Sequence, residues 1–213
     1  MPKAIPSKTT LPISLLKEAQ MINIHKWSYP GMQIYKIQED IIDKLFRSPS
    51  TKTNCDADIV YLKVSTLNLY YSTFMQATRQ MANGINDIGI DSRLISGDVS
   101  LVEEIATKTT RRNYSFATKY CACHQPEKFP IYDNLVGSYL AKVAARGNIV
   151  GFYGARTTLQ EKMKKDYEFY KNLYDAFIQQ YDLIKLSYRE VDWYLWTANK
   201  CLKSAKLNMF TLI

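Results

Sequence analysis

The chain has 213 residues, 46% hydrophobic and 23% charged. That composition excludes a disordered chain and suits one domain of ordinary size. Twenty-eight Lys and Arg against 20 Asp and Glu leave a net charge of +8, which points to a polyanionic partner.

Gly (8) and Pro (7) are few, and alternating Val/Ile/Thr runs are missing, so an all-α fold is expected. One domain should span 1–213, with an N-terminal segment, 1–54, packed on a helical core, 55–213. Met1 to Thr10 carries Lys3 and Lys8 with no apolar h-region behind them, which argues against a secretory signal. Helices are expected over 13–23 and 38–47, with Trp27-Ser28-Tyr29-Pro30-Gly31 as the turn between them. Ser48 to Asn54 reads as a polar linker. Val60, Val64, Leu67, Tyr71 and Phe74 recur in steps of 4, 3, 4, 3 and predict one helix face, extending through Met75 toward Met81. Ser100 with Glu103 has the form of a capping box and should open a helix over 101–109. A basic turn follows at 110–115, then a short helix over 116–124 that Pro126 and Pro130 stop. Asp133 is placed to cap the next helix. Met163, Tyr167, Tyr170, Tyr174 and Phe177 repeat the same spacing, and Ser187 with Glu190 caps a last helix over about 191–203.

The charge has a focus. Residues 105–126 hold Lys108, Arg111, Arg112 and Lys119 and no acid, whereas 151–200 hold 8 basic and 7 acidic residues. Clustered cations on a turn suit phosphate contact. Cys121-Ala122-Cys123-His124 has no second Cys/His pair nearby, so no metal is expected. The four cysteines (55, 121, 123, 201) suit reduced thiols in a cytoplasm, and no apolar run is long enough to span a bilayer. Trp27, Tyr29 and Tyr132 lie in expected loops, where an aromatic face can stack on an extruded base.

Between Gly97 and Tyr139 the chain resembles the helix-hairpin-helix superfamily of DNA glycosylases, in its 8-oxoguanine-glycosylase-like branch. The likeness covers about 58–200. It implies a two-lobed helical fold with a cleft, and a hairpin near 110–115 that grips duplex DNA through Lys108, Arg111, Arg112 and Asn113. Lys119 matches the family's nucleophilic lysine, and Asp133 in Phe129-Pro130-Ile131-Tyr132-Asp133 matches its catalytic aspartate. Tyr71 or Ser72, in Leu67-Asn68-Leu69-Tyr70-Tyr71-Ser72-Thr73, matches the wedge that fills the gap left by a flipped base. Trp27, Tyr29 and Tyr132 then belong to a base pocket.

Departures from the family pattern are specific. The hairpin lacks the usual glycines, and the Lys-to-Asp spacing, 133 − 119 = 14, is short. The short spacing favours a water attacking under Asp133 over direct attack by Lys119. The cysteine spacing excludes the family's iron–sulfur loop, and no cofactor is implied. The resemblance implies a monomer excising a modified base. Small relatives in bacterial antiviral settings make glucosylated hydroxymethylcytosine of phage DNA one candidate and 8-oxoguanine the alternative. A non-catalytic DNA-binding module with the same basic turn is the reading from another class.

Overall fold

Residues 14–28 and 32–203 are described in the computed structural model of the chain, and every regular element among them is helical. In chain order these are α1 (Ser14–His25), a 3-10 turn (Lys26–Ser28), α2 (Gln33–Arg47), α3 (Ala57–Tyr70), α4 (Thr78–Asp87) and α5 (Asp91–Ser96). Then come α6 (Ser100–Ala106), α7 (Tyr114–His124), α8 (Asn134–Ala145), α9 (Arg156–Lys165), α10 (Tyr167–Gln180) and α11 (Tyr188–Lys203). Tyr29 lies outside the described residues.

α7 is the centre. Every side chain from Phe116 to His124 is buried, so this helix must be enclosed on all sides. α2, α3 and α6 pack on it; α10 joins α6; α8 packs on α9 and α11, and α11 reaches back to α1. The buried apolar side chains form one continuous cluster running from Ala19 to Leu195. No helix among the described residues is long and apolar enough to cross a membrane.

Two periodic runs break where the spacing predicts continuity. The run from Val60 stops at Tyr70, and Phe74 is 80% exposed instead of completing the face. The cause is Asn68. Its side chain accepts from Met75 N (2.8 Å) and Thr73 Oγ1 (2.7 Å) and donates to Met75 O (2.9 Å), which offers the backbone partners outside the helix. Ser72 and Phe74 are left in the left-handed region at φ 47° and 54°, and Met81 belongs to α4. The run from Met163 to Phe177 likewise divides at Asp166, whose carboxylate accepts from Phe169 N (2.8 Å) and starts α10.

The two capping boxes part company. Ser187 and Glu190 form theirs: Ser187 N donates to the Glu190 carboxylate (2.8 Å) and Glu190 N to Ser187 Oγ (3.3 Å). Ser100 and Glu103 do not. Asp98 accepts from Ser100 N (3.0 Å), and Glu103 is taken by Arg112 (2.8 Å). α6 also ends at Ala106, short of the expected Thr109.

Candidate active site

Pro130 to Tyr132 lie in the non-helical link between α7 and α8, residues 125–133, and their backbone is tied down on both sides. Tyr167 and Tyr170 of α10 donate to Pro130 O (2.9 Å) and Ile131 O (2.5 Å). Ser115 and Thr118 of α7 take the other side: Ser115 Oγ donates to Tyr132 O (3.1 Å), and Tyr132 N donates to Thr118 Oγ1 (3.1 Å). Four buried or half-buried hydroxyls thus satisfy a link that would otherwise bury unpaired polar groups. They fix the next residue, Asp133, whose Oδ1 caps α8 by accepting from Val136 N (2.8 Å).

Asp133 and Lys119 line one cavity of about 240 Å³. Tyr35, Trp193 and Trp196 supply aromatic wall, and Tyr71 and Ser72 line it from the break after α3. Lys119 is only 7% exposed; its Nζ donates to Ser115 Oγ (2.6 Å) and stands 5.4 Å from the Tyr71 ring centroid. Burial pushes the Lys119 amine below its ordinary pKa, while Asp133 and Asp192 pull the other way. Arg111 and Arg112, close by in sequence, take no part in that shift.

Asp192 was not anticipated. It projects from α11 into the cavity and is 8% exposed. Its Oδ2 accepts from Arg189 Nη1 (3.0 Å), whereas Oδ1 is buried with no partner. Burial raises its pKa from 3.8 to about 7, partly offset by Arg189. Arg189 is itself shared, since Nη2 also bonds Glu39 of α2 and the Tyr71 hydroxyl (3.1 Å).

The remaining expected site residues lie elsewhere. Tyr132 does not line the cavity; it is 3% exposed and packed between Tyr114 and Tyr170 (centroids 5.0 and 5.1 Å). Trp27 stands behind the wall, edge-on to Trp193 at 5.2 Å. In the 107–113 turn, Arg112 is braced by Glu103, donates to Lys164 O (2.6 Å) and covers the Tyr114 ring. Lys108 pairs with Glu104 (3.4 Å), its stem lying where a Cβ on Gly84 would fall. Asn113 bonds Thr109 Oγ1 (2.6 Å) and Arg111 O (2.7 Å). The Arg111 side chain is exposed and has no ion-pair partner among the described residues. Among the described residues no group of His, Cys, Asp or Glu could hold a metal ion.

A family model, HI_0787_N, described as an N-terminal domain, matches residues 18–128. That stretch carries Tyr35, Glu39, Tyr71 and Lys119 and stops before Asp133. A protein of Haemophilus influenzae described as an uncharacterized protein is 36% identical over 140 residues, covering 62% of each chain, so this chain spans less than two thirds of that relative's length. No solved structure matches. With more than half of its length matched, the chain belongs to the HI_0787_N family.

Proposed function

We propose that the chain is a DNA glycosylase: it flips a modified base out of duplex DNA and cleaves the N-glycosidic bond. The observation that carries this reading is that Lys119, buried and pushed toward its neutral form, and Asp133, held at a helix N-terminus, line one aromatic-walled cavity. A neutral amine is what attack on C1′ requires. Its burial in the cavity outweighs the short Lys-to-Asp spacing, so we assign the attack to Lys119. Asp133 takes the proton that the amine releases and stabilises the positive charge that grows on the sugar.

Tyr35 and Trp196 offer faces on which an extruded base stacks, while Trp193 has Lys26 and Arg189 over its ring. The wedge passes from Tyr71, which is bonded to Arg189 within the wall, to the rim at Ser72 and the exposed ring of Phe74. Arg111 is the turn's phosphate contact, because Lys108 and Arg112 already have carboxylate partners. In this reading the chain is a degenerate helix-hairpin-helix protein with a cleft between two lobes, acting as a monomer in the cytoplasm. Glucosylated hydroxymethylcytosine in phage DNA is the substrate we favour, in a role of antiviral defence.

The test is an excision assay on phage DNA with and without glucosylated hydroxymethylcytosine, beside a duplex containing 8-oxoguanine. Released base from the glucosylated DNA supports the reading, and release from the oxidised duplex alone reassigns the enzyme to repair. Binding of both DNAs with no release would leave a non-catalytic DNA-binding module.

A further inference from the structure

Three carboxyl groups line the cavity; Glu39 is paired with Arg189, and the surroundings of the other two, Asp133 and Asp192, differ. Asp133 is tied to the first turn of α8, where a helix N-terminus favours negative charge. Asp192 is enclosed, and its Oδ1 has no donor. An ionised oxygen left that way is costly, and a proton on it reduces the cost. The Arg189 guanidinium does not cancel this, because it is divided among Asp192, Glu39 and Tyr71.

We propose that Asp192 is the catalytic acid that protonates the departing base, a role that rests on the glycosylase reading of the cavity. Lys119 Nζ forms a bond to C1′ as the C1′–N bond breaks. The electron pair of the broken bond goes to the base, which receives the Asp192 proton; the proton shed by the attacking amine goes to Asp133. The sugar ring then opens: the C1′–O4′ bond breaks, O4′ takes the remaining amine proton, and a C1′=N link to Lys119 is left, which water hydrolyses to free amine and an abasic site. Asp192 regains a proton from solvent and Asp133 returns its own. A carboxyl that burial favours in its protonated form, in one cavity with a second carboxyl that caps a helix, is a usual basis for assigning the acid.

The titratable groups facing Asp192 come from several elements. Arg189 acts from its own helix, Lys119 from α7 and Asp133 from the head of α8. Lys26 of the 3-10 turn, Tyr71 at the end of α3, and Tyr170 and Tyr174 of α10 also lie around it, the tyrosines as neutral phenols. Burial and, less strongly, Asp133 raise the Asp192 pKa, Arg189 and Lys119 lower it, and the balance leaves it at about 7.

The experiment has two arms on the full chain. In the protein alone, a carbon-13 carboxyl titration compares wild type with Asp192→Asn. One resonance should titrate near 7 and be missing from the variant. In excision of base from glucosylated phage DNA, wild-type kcat/KM should fall as pH rises through about 7. Asp192→Asn should be about 100-fold slower or worse at pH 6 and lose that falling limb. An Asp192 carboxyl titrating in the ordinary range overturns the acid assignment and leaves the glycosylase reading standing. So does an Asn variant that keeps the wild-type rate and profile. Absence of excision by wild type on both phage and oxidised DNA overturns the glycosylase reading, and the acid assignment with it.

Discussion

The Lys119 amine stands 5.4 Å from the centre of the Tyr71 ring, and that contact joins the central helix to the break after α3. Tyr71 also bonds Arg189, so the same ring ties the amine's surroundings to the last helix. Three distant stretches of chain meet at one aromatic side chain. The cavity therefore depends on α3 ending where Asn68 ends it.

Asp133→Asn should keep the fold, because Asn caps helices as well as Asp does. Its melting temperature should stay within a few degrees of wild type. Excision should nevertheless be lost, since an amide neither accepts the amine's proton nor stabilises a cationic sugar. Normal excision by the Asn protein on a substrate the wild type cleaves would refute the role of Asp133.

Borohydride added during turnover should trap wild-type protein covalently on DNA, and Lys119→Met should give no adduct. The Met variant should melt no lower than wild type, as a buried amine is replaced by an apolar chain of similar length. Abasic sites accumulating with no adduct would assign the attack to water under Asp133.

The two arginines of the turn should behave differently. Arg111→Ala should weaken duplex binding for all sequences and reduce the salt slope by about 0.9, one phosphate's share. Arg112→Ala removes the Glu103 pair, the bond to Lys164 O and the cover over Tyr114, so it should cost about 1–2 kcal/mol of stability. Salt-dependent binding curves and denaturant melts separate the two effects.

Phe74→Gly should leave stability unchanged or raise it by up to about 1 kcal/mol. The ring buries little, and glycine adopts a φ of 54° without strain. Excision should drop, because the tip that fills the emptied stack is gone. A variant that melts lower than wild type would show that the ring contributes to packing.

Asp192 also predicts a pH dependence of stability. Its folded pKa is raised from 3.8 to about 7, so the protonated form is the one the fold favours. The stabilisation is complete below the unfolded pKa and is lost as pH rises through about 7, amounting to no more than about 4 kcal/mol. Relative to wild type, Asp192→Asn should therefore gain stability between pH 4 and pH 8 in paired denaturant titrations.

Much of the helical order is legible in the residues. α7, its proline stop and the Asp133 cap follow from local chemistry, and so does the Ser187–Glu190 box. Local chemistry is also where reading fails, when two side chains compete for one role. Asp98 stands two residues before Ser100 and takes its amide, and Arg112 removes Glu103 from the box. Asn68 and Asp166 interrupt apolar runs because their side chains replace helical partners, which an apolar period cannot register.

The site shows the same division. Lys119 and Asp133 can be read from a motif. Asp192 cannot, because an acid between Arg189 and the helix's later turns looks like one more solvated charge until α7, α8 and α10 close around it. Tyr132 misled in the opposite sense. Its loop position suggests exposure, but the tyrosines of α10 draw that loop into the core.

Gly137 carries no functional group, yet any side chain there would press on the Tyr132 ring, next to Asp133. A Cβ at this position would lie 2.9 Å from Tyr132 Cε2, within a ring that Tyr114 and Tyr170 hold in place. The ring cannot yield without dragging the backbone that aims Asp133. In a saturation scan of the chain, position 137 should therefore score like a catalytic residue, although its chemistry is blank. Asp-x-x-x-Gly is then the unit to look for in more distant chains, because the carboxylate has its aim only when the fourth residue after it leaves the space empty.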